Sequence, residues 1–91
     1  MSTQIFQLGQ IVATPGALAW LEAAEVTYGS LLDRHTVCDW GDLSEDDKAA
    51  NNSALQWGGR LLSSYLVADS KVWIITEWDR SVTTLLMADE Y

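Results

Sequence analysis

The apolar positions fall into seven segments, whose spacing runs from strand-like to helical and back to strand-like. Ile5 to Ala13 opens with β-favouring residues, and Phe6, Leu8 and Val12 would share one face of a strand, with Gly9 as a bulge. Thr14-Pro15 marks a helix entry. Thr can cap, and Pro at the first helical position gives up an N–H that has no intrahelical partner anyway. Ala17, Leu21 and Ala24 form a helical stripe that Leu18 and Trp20 widen. Gly29-Ser30 breaks this helix, and Ser30 to His35 makes a short second one. Its last residues, Arg34 and His35, suit the negative end of a helix dipole. Asp39-Trp40-Gly41-Asp42 reads as a turn. Ser44 then caps a third helix, with Asp47 where a capping box usually has Glu. Ala50, Ala54, Trp57 and Leu61 keep helical spacing, and Gly58-Gly59 ends the helix near Trp57.

The last third is strand-like. Arg60 to Val67, Lys71 to Trp78 and Val82 to Met87 are separated by Ala68-Asp69-Ser70 and Asp79-Arg80-Ser81, which are short enough for hairpins. Val72 to Thr76 is apolar on both faces at one end, as suits a central strand. With Asp69-Ser70 and Asp79-Arg80 as two-residue turns, Leu62 faces Glu77 and Glu77 faces Val82. Ser63, Thr76 and Thr83 then line up across the opposite face. The order β-α-α-α-β-β-β predicts an α+β domain, a small antiparallel sheet with helices packed on one face, formed by residues 1–91 as one unit. The place of the first strand in that sheet stays open.

Composition narrows the range of functions. The chain has 91 residues, near the lower end of what folds alone, so its five Trp and three Tyr matter both as core volume and as contact surface. Thirteen acidic residues against five basic give a formal charge of −8. Attraction to a phosphate backbone needs Lys and Arg, so direct nucleic-acid binding is disfavoured, and an anionic membrane repels the chain for the same reason. The partners this charge implies are basic: a protein that itself binds DNA or RNA, a cationic ligand or a metal ion. One cysteine, Cys38, forms neither an internal disulfide nor a zinc site by itself. The segment Met1 to Ile5 lacks the basic start and apolar run of a signal peptide, and no stretch approaches a membrane span, which gives a cytoplasmic expectation.

Several segments together carry a resemblance. They are Gly9 to Leu18, Arg34-His35 followed by Asp39-Trp40-Gly41-Asp42, Asp47-Lys48 and Asn51, Gly59 to Tyr65, Trp73 to Glu77, and Asp79-Arg80-Ser81 with Thr83-Thr84. In these the chain resembles small "plasmid-related" proteins of bacterial plasmids, integrative elements and phages, some of them labelled as a type I restriction subunit. Two positions depart from that pattern. Cys38 stands where the family has Gly, and Ala88 where it has Pro before the acidic, Tyr-terminated tail. The resemblance implies a mobile-element context, and with it a role against host defence, whether restriction or CRISPR.

Two constellations compete for function. Asp39, Asp42, Glu45, Asp46 and Asp47, with Trp40 and Trp78 as aromatic anchors, would form a phosphate-like acidic surface for a basic partner. The structural alternative is a solvated, dipole-complementing helix start, and a calcium loop lacks its alternating acidic ligands. Alternatively His35, Asp39, Arg60, Glu77 and Arg80 would converge on a small ligand or catalytic pocket, with the hydroxyl row beside Arg80. The same groups serve equally as a capping His and a cross-strand ladder. Cys38 near His35 is read as a small, partly buried thiol and not as a nucleophile. Trp57 and Trp73 are read as core residues. No metal or cofactor is expected, no catalytic residue is assigned, and a homodimer burying Trp residues between copies is a third arrangement.

Overall fold

The computed structural model describes residues 4–91. In chain order it contains β1 (Gln10–Ala13), α1 (Pro15–Ala23), α2 (Tyr28–Thr36), α3 (Glu45–Trp57), β2 (Leu61–Val67), β3 (Ser70–Thr76), β4 (Val82–Met87) and a short 3-10 turn, Ala88–Glu90. The sheet order is β1-β4-β3-β2. The last three strands form an antiparallel meander, and β1 joins β4 in parallel, so the α+β sheet is mixed.

Helix limits follow local chemistry. Thr14 accepts the Ala17 N–H at 3.1 Å, with Pro15 at the first helical position. Ser44 accepts the Asp47 N–H at 3.1 Å, and Gly58 stops α3. The second helix starts earlier than its glycine suggests. Thr27 caps it by accepting the Ser30 N–H, which places Gly29 inside the helix, and the chain turns instead near Glu25 at φ +58°.

The first strand is shorter than Ile5 to Ala13. Gly9 at φ +66° turns the chain, and a Cβ there would overlap the carbonyl oxygen of Ser81. Phe6 and Leu8 therefore drop into the core from irregular backbone, while Val12 lies exposed on the other side of the sheet. Close approach at Gly9 lets the Gln10 N–H donate to Ser81 O at 2.9 Å, and the Thr14 N–H donates to Leu85 O at 3.0 Å.

The β3–β4 register is as expected: Thr76 faces Thr83, and the Glu77 N–H donates to Val82 O. In the β2–β3 hairpin the corner is Ala68-Asp69, with Ala68 at φ +55°, so Leu62 faces Ile75 and not Glu77. That two-residue slip keeps every side chain on its expected face, because strand side chains alternate with a period of two.

One hydrophobic cluster lies between the helices and one face of the sheet. It joins Ala17 and Leu21 of α1, Leu31 and Leu32 of α2 and Ala54 of α3 to Leu61, Tyr65, Val72, Ile74 and Leu85 of the strands. Trp57, expected in the core, is 81% exposed at the end of α3. Trp73 sits half-buried on the other sheet face. Among the described residues no helix is long and apolar enough to cross a membrane.

Candidate functional site

His35 lies in the core with no exposed surface, near the end of α2 where that helix faces the sheet. Phe6 meets its ring edge-on at 5.1 Å and Trp40 at 5.7 Å. Its Nδ1 is 2.5 Å from Ser63 Oγ and its Nε2 is 2.9 Å from Thr76 Oγ1. Thr76 Oγ1 lies 2.8 Å from Thr83 Oγ1, and Thr83 donates to Leu8 O at 2.7 Å.

The direction of this chain is fixed from its far end. A carbonyl only accepts, so Thr83 spends its proton on Leu8 and must accept from Thr76. Thr76 then accepts from His35, which carries its proton on Nε2 and takes the Ser63 hydroxyl proton on Nδ1. Burial, and secondarily the Arg80 charge, push the His35 pKa down to about 4. The hydroxyl row expected from the strand register exists, but the imidazole closes it off from any ligand.

Trp40 departs most from its expected role. It is 4% exposed, stacked on Phe6 at 6.2 Å, with Nε1 donating to Asn52 Oδ1 at 3.3 Å. Its backbone stitches the turn onto β2: Ser64 N–H donates to Trp40 O, and Asp42 N–H donates to Ser64 O at 2.6 Å. Gly41 between them, at φ +76°, has no room for a Cβ against Ser64 O. Trp40 is thus a pin under the acidic turn and not an anchor for a partner.

Asp39 takes the Arg34 Nε–H at 2.7 Å, a contact that holds its carboxyl below the usual range. Arg34 in turn covers the Tyr65 ring, 4.4 Å from its centroid, and the Tyr65 hydroxyl donates to Asp39 O at 2.6 Å. Cys38, just before, holds φ +66°, so the chain keeps a glycine-like backbone with a side chain attached. Burial raises its thiol pKa, and both nitrogens of the neighbouring His35 are already bonded, so no Cys–His pair exists.

Beyond Asp39 the turn opens outward. Asp42 meets Lys71 at 3.1 Å and Glu45 meets Lys48 at 3.8 Å, while Asp46 and Asp47 form no ion pair among the described residues. All four acids are exposed.

The five groups expected to share a pocket do not converge. His35 is core and Asp39 belongs to Arg34. Arg60 and Glu77 pair across β2 and β3 at 3.6 Å. Arg80 is committed to backbone: Nη1 donates to Gly59 O, Glu77 O and Trp78 O, and Nη2 donates to Ala54 O at 3.0 Å. It therefore fastens the carboxyl end of α3, the negative end of the helix dipole, to the β3–β4 hairpin. Trp78, in that hairpin, is 68% exposed.

Asn51 is one of the positions that carry the resemblance, but the sequence assigns it no role. Its amide pairs with the Leu62 backbone in both directions, Nδ2 donating to Leu62 O at 2.7 Å and Oδ1 accepting Leu62 N–H at 3.0 Å. A signal was present, since an Asn one turn before Ala54 occupies the buried stripe of a helix, where it is a poor helix former and needs partners. Among the described residues no group of His, Cys, Asp and Glu is arranged to hold a metal ion. Comparison with protein families, with curated proteins and with solved structures finds no significant match.

Proposed function

We propose that the protein works by binding and not by catalysis, presenting its acidic turn and helix start to a basic surface of a nucleic-acid-binding complex. The observation that carries this reading is the contrast at one turn. Asp42, Glu45, Asp46 and Asp47 stand exposed on backbone fixed by the Ser64 hydrogen bonds and the Ser44 cap. Of the pocket candidates, His35, Asp39 and Arg80 are spent on internal bonds. Carboxylates held on pre-formed backbone lose little freedom when Lys and Arg meet them, and a phosphate-like array steers a basic partner from a distance. The resemblance to mobile-element proteins supplies the class of partner, a host restriction or CRISPR complex whose nucleic-acid channel the acids would occupy.

The test uses affinity capture from bacterial lysate with wild-type protein and a variant carrying Asp42→Lys, Glu45→Lys and Asp46→Lys, each with and without added duplex DNA. The expected result is a nucleic-acid-binding partner that the variant fails to retain and that DNA displaces. Equal capture by the variant, with its fold intact by circular dichroism, would sink the reading.

A further inference from the structure

The sheet ends at β1 on one side. The Gln10 N–H donates to Ser81 O and the Thr14 N–H to Leu85 O, so by strand alternation the backbone of Ile11 and Ala13 turns outward. Among the described residues neither has a backbone partner there. The strand reads Gln-Ile-Val-Ala, without the charge or Pro that commonly protects an open edge.

Apolar side chains gather at the same place. Ile11 is 44% exposed, and Val12, Leu18 and Tyr28 are exposed as well. With Ala13 they line a cleft of about 350 Å³ in which no lining residue is charged. A second cleft of about 370 Å³ continues past Leu18 and Tyr28 to Val26, with Glu22 as its one charge. The partners of Ile11 and Ala13 across β4, Thr83 and Leu85, are buried under the helices, so both side chains lie on the helix side, and Val12 lies on the other. On that side Ile11 projects, and Ala13, two residues on, leaves room.

An occupant of this edge has to be an extended backbone, because only that meets N–H and C=O groups spaced along a strand. We propose that it is β1 of a second copy of the chain, paired antiparallel about a two-fold axis through Val12. Ile11 then lies opposite the partner's Ala13, exchanges both backbone hydrogen bonds with it, and fills the room that the small residue leaves beside the cleft. The same holds in reverse, and the two Val12 side chains meet on the axis. A folded copy brings its strand already extended, whereas a free peptide has to be ordered first. Charge favours the same occupant. A basic partner is drawn to acids, and the cleft beside β1 offers it none. The acidic turn sits beside β2, at the far side of the sheet, so its carboxylates stay distant from the junction and open to a partner of their own.

The junction engages few residues of each copy, against roughly 20–30 a side in a standard stable interface. The dimer is therefore reversible, and the like charge of two copies at −8 makes it tighten as salt rises.

Sedimentation equilibrium of the full chain from micromolar to millimolar concentration is expected to show a monomer–dimer equilibrium. It strengthens between about 0.1 M and about 1 M salt, where the screening length falls from about 10 Å to about 3 Å. Val12→Glu sets two carboxylates against each other on the axis and weakens association by about tenfold or more. Ile11→Pro, which removes only an outward N–H, weakens it too. Val12→Cys reads the axis covalently. Facing residues of a non-hydrogen-bonded pair have Cα atoms about 4.5 Å apart, within disulfide reach. Diamide oxidation should link two copies through position 12, as peptide mapping shows, while Leu66→Cys, exposed at the far side of the sheet, stays unlinked. A wild-type chain monomeric throughout leaves this edge to a strand of some other protein and overturns the proposal. So does a dimer indifferent to Val12→Glu, or linkage no greater at position 12 than at 66. Where a variant unfolds, amide shifts in a dilution series of the wild-type protein decide, since a centre anywhere but β1, Leu18 and Tyr28 also overturns it.

Discussion

Acid should weaken this protein through His35 well before its carboxylates titrate. The imidazole is neutral in the fold, with a pKa of about 4, against about 6.5 in an unfolded chain. Above pH 6.5 neither state binds the proton, and the two curves run together. Between pH 6.5 and about 4 the unfolded chain takes up a proton that the folded protein refuses, so stability falls as pH falls. Below about 4 both states are protonated and the loss levels off. Each unit within the window costs about 1.4 kcal/mol, which gives about 2 kcal/mol between pH 7 and 5 and about 3 kcal/mol in all. For a small domain that is a large fraction of the total. The same acidification relieves the self-repulsion of a chain at −8, which pushes stability the other way, so a net loss is diagnostic. The assay is urea unfolding at pH 7, 6 and 5, alongside an NMR titration of the His35 Cε1 proton. Because the chain has one histidine, His35→Gln removes the slope without leaving another source for it. That variant starts less stable by about 1–3 kcal/mol, since Ser63 loses its acceptor, but its stability does not fall between pH 7 and 5. A His35 midpoint near 6.5, or an unchanged slope in the variant, would refute the reasoning.

Arg80→Lys keeps the charge but loses the planar fork that spans Gly59 O and Ala54 O, and a loss of about 2 kcal/mol in urea unfolding is expected. At Cys38, held at φ +66°, backbone preference should outweigh burial. Cys38→Val costs about 1–2 kcal/mol, whereas Cys38→Gly stays within about 1 kcal/mol of wild type, and thermal unfolding of the pair shows the order.

The local parts of the fold were legible and the distant ones were not. Ser44 and Gly58-Gly59 bound α3 because a hydroxyl cap and a glycine stop act within a few residues. The Asp79-Arg80 turn fixed the Thr76–Thr83 pairing for the same reason. The β2–β3 corner slipped because Ala68, which carries the positive φ, is not a residue that announces a turn. The parallel pairing of β1 with β4 depends on a close approach between Gly9 and Ser81, far apart in the chain, which no periodicity encodes. Trp40 looked exposed because charges flank it, yet it is packed beneath the turn against Phe6, which comes from the start of the chain. Arg80 looked like a free cation because its acceptors are backbone carbonyls, and every sequence has those. His35 was placed correctly at the end of a helix, but two hydroxyl partners from other elements, Ser63 and Thr76, decide what it does there.

Asn51 and the Trp40–Asp42 turn have a consequence for how the protein behaves when crowded. Of the three β2 positions whose backbone points away from β3, Leu62 is already bonded to an amide side chain and Ser64 to the turn, leaving Leu66. One residue is too little to template a ladder. Among the described residues the opposite margin of the sheet, at Ile11 and Ala13, has no backbone partner, so a foreign strand can add on that side. Growth by strand addition is then self-terminating. Two molecules joined margin to margin would show only blocked flanks to a third, and the stack that leads to a fibre has no second step.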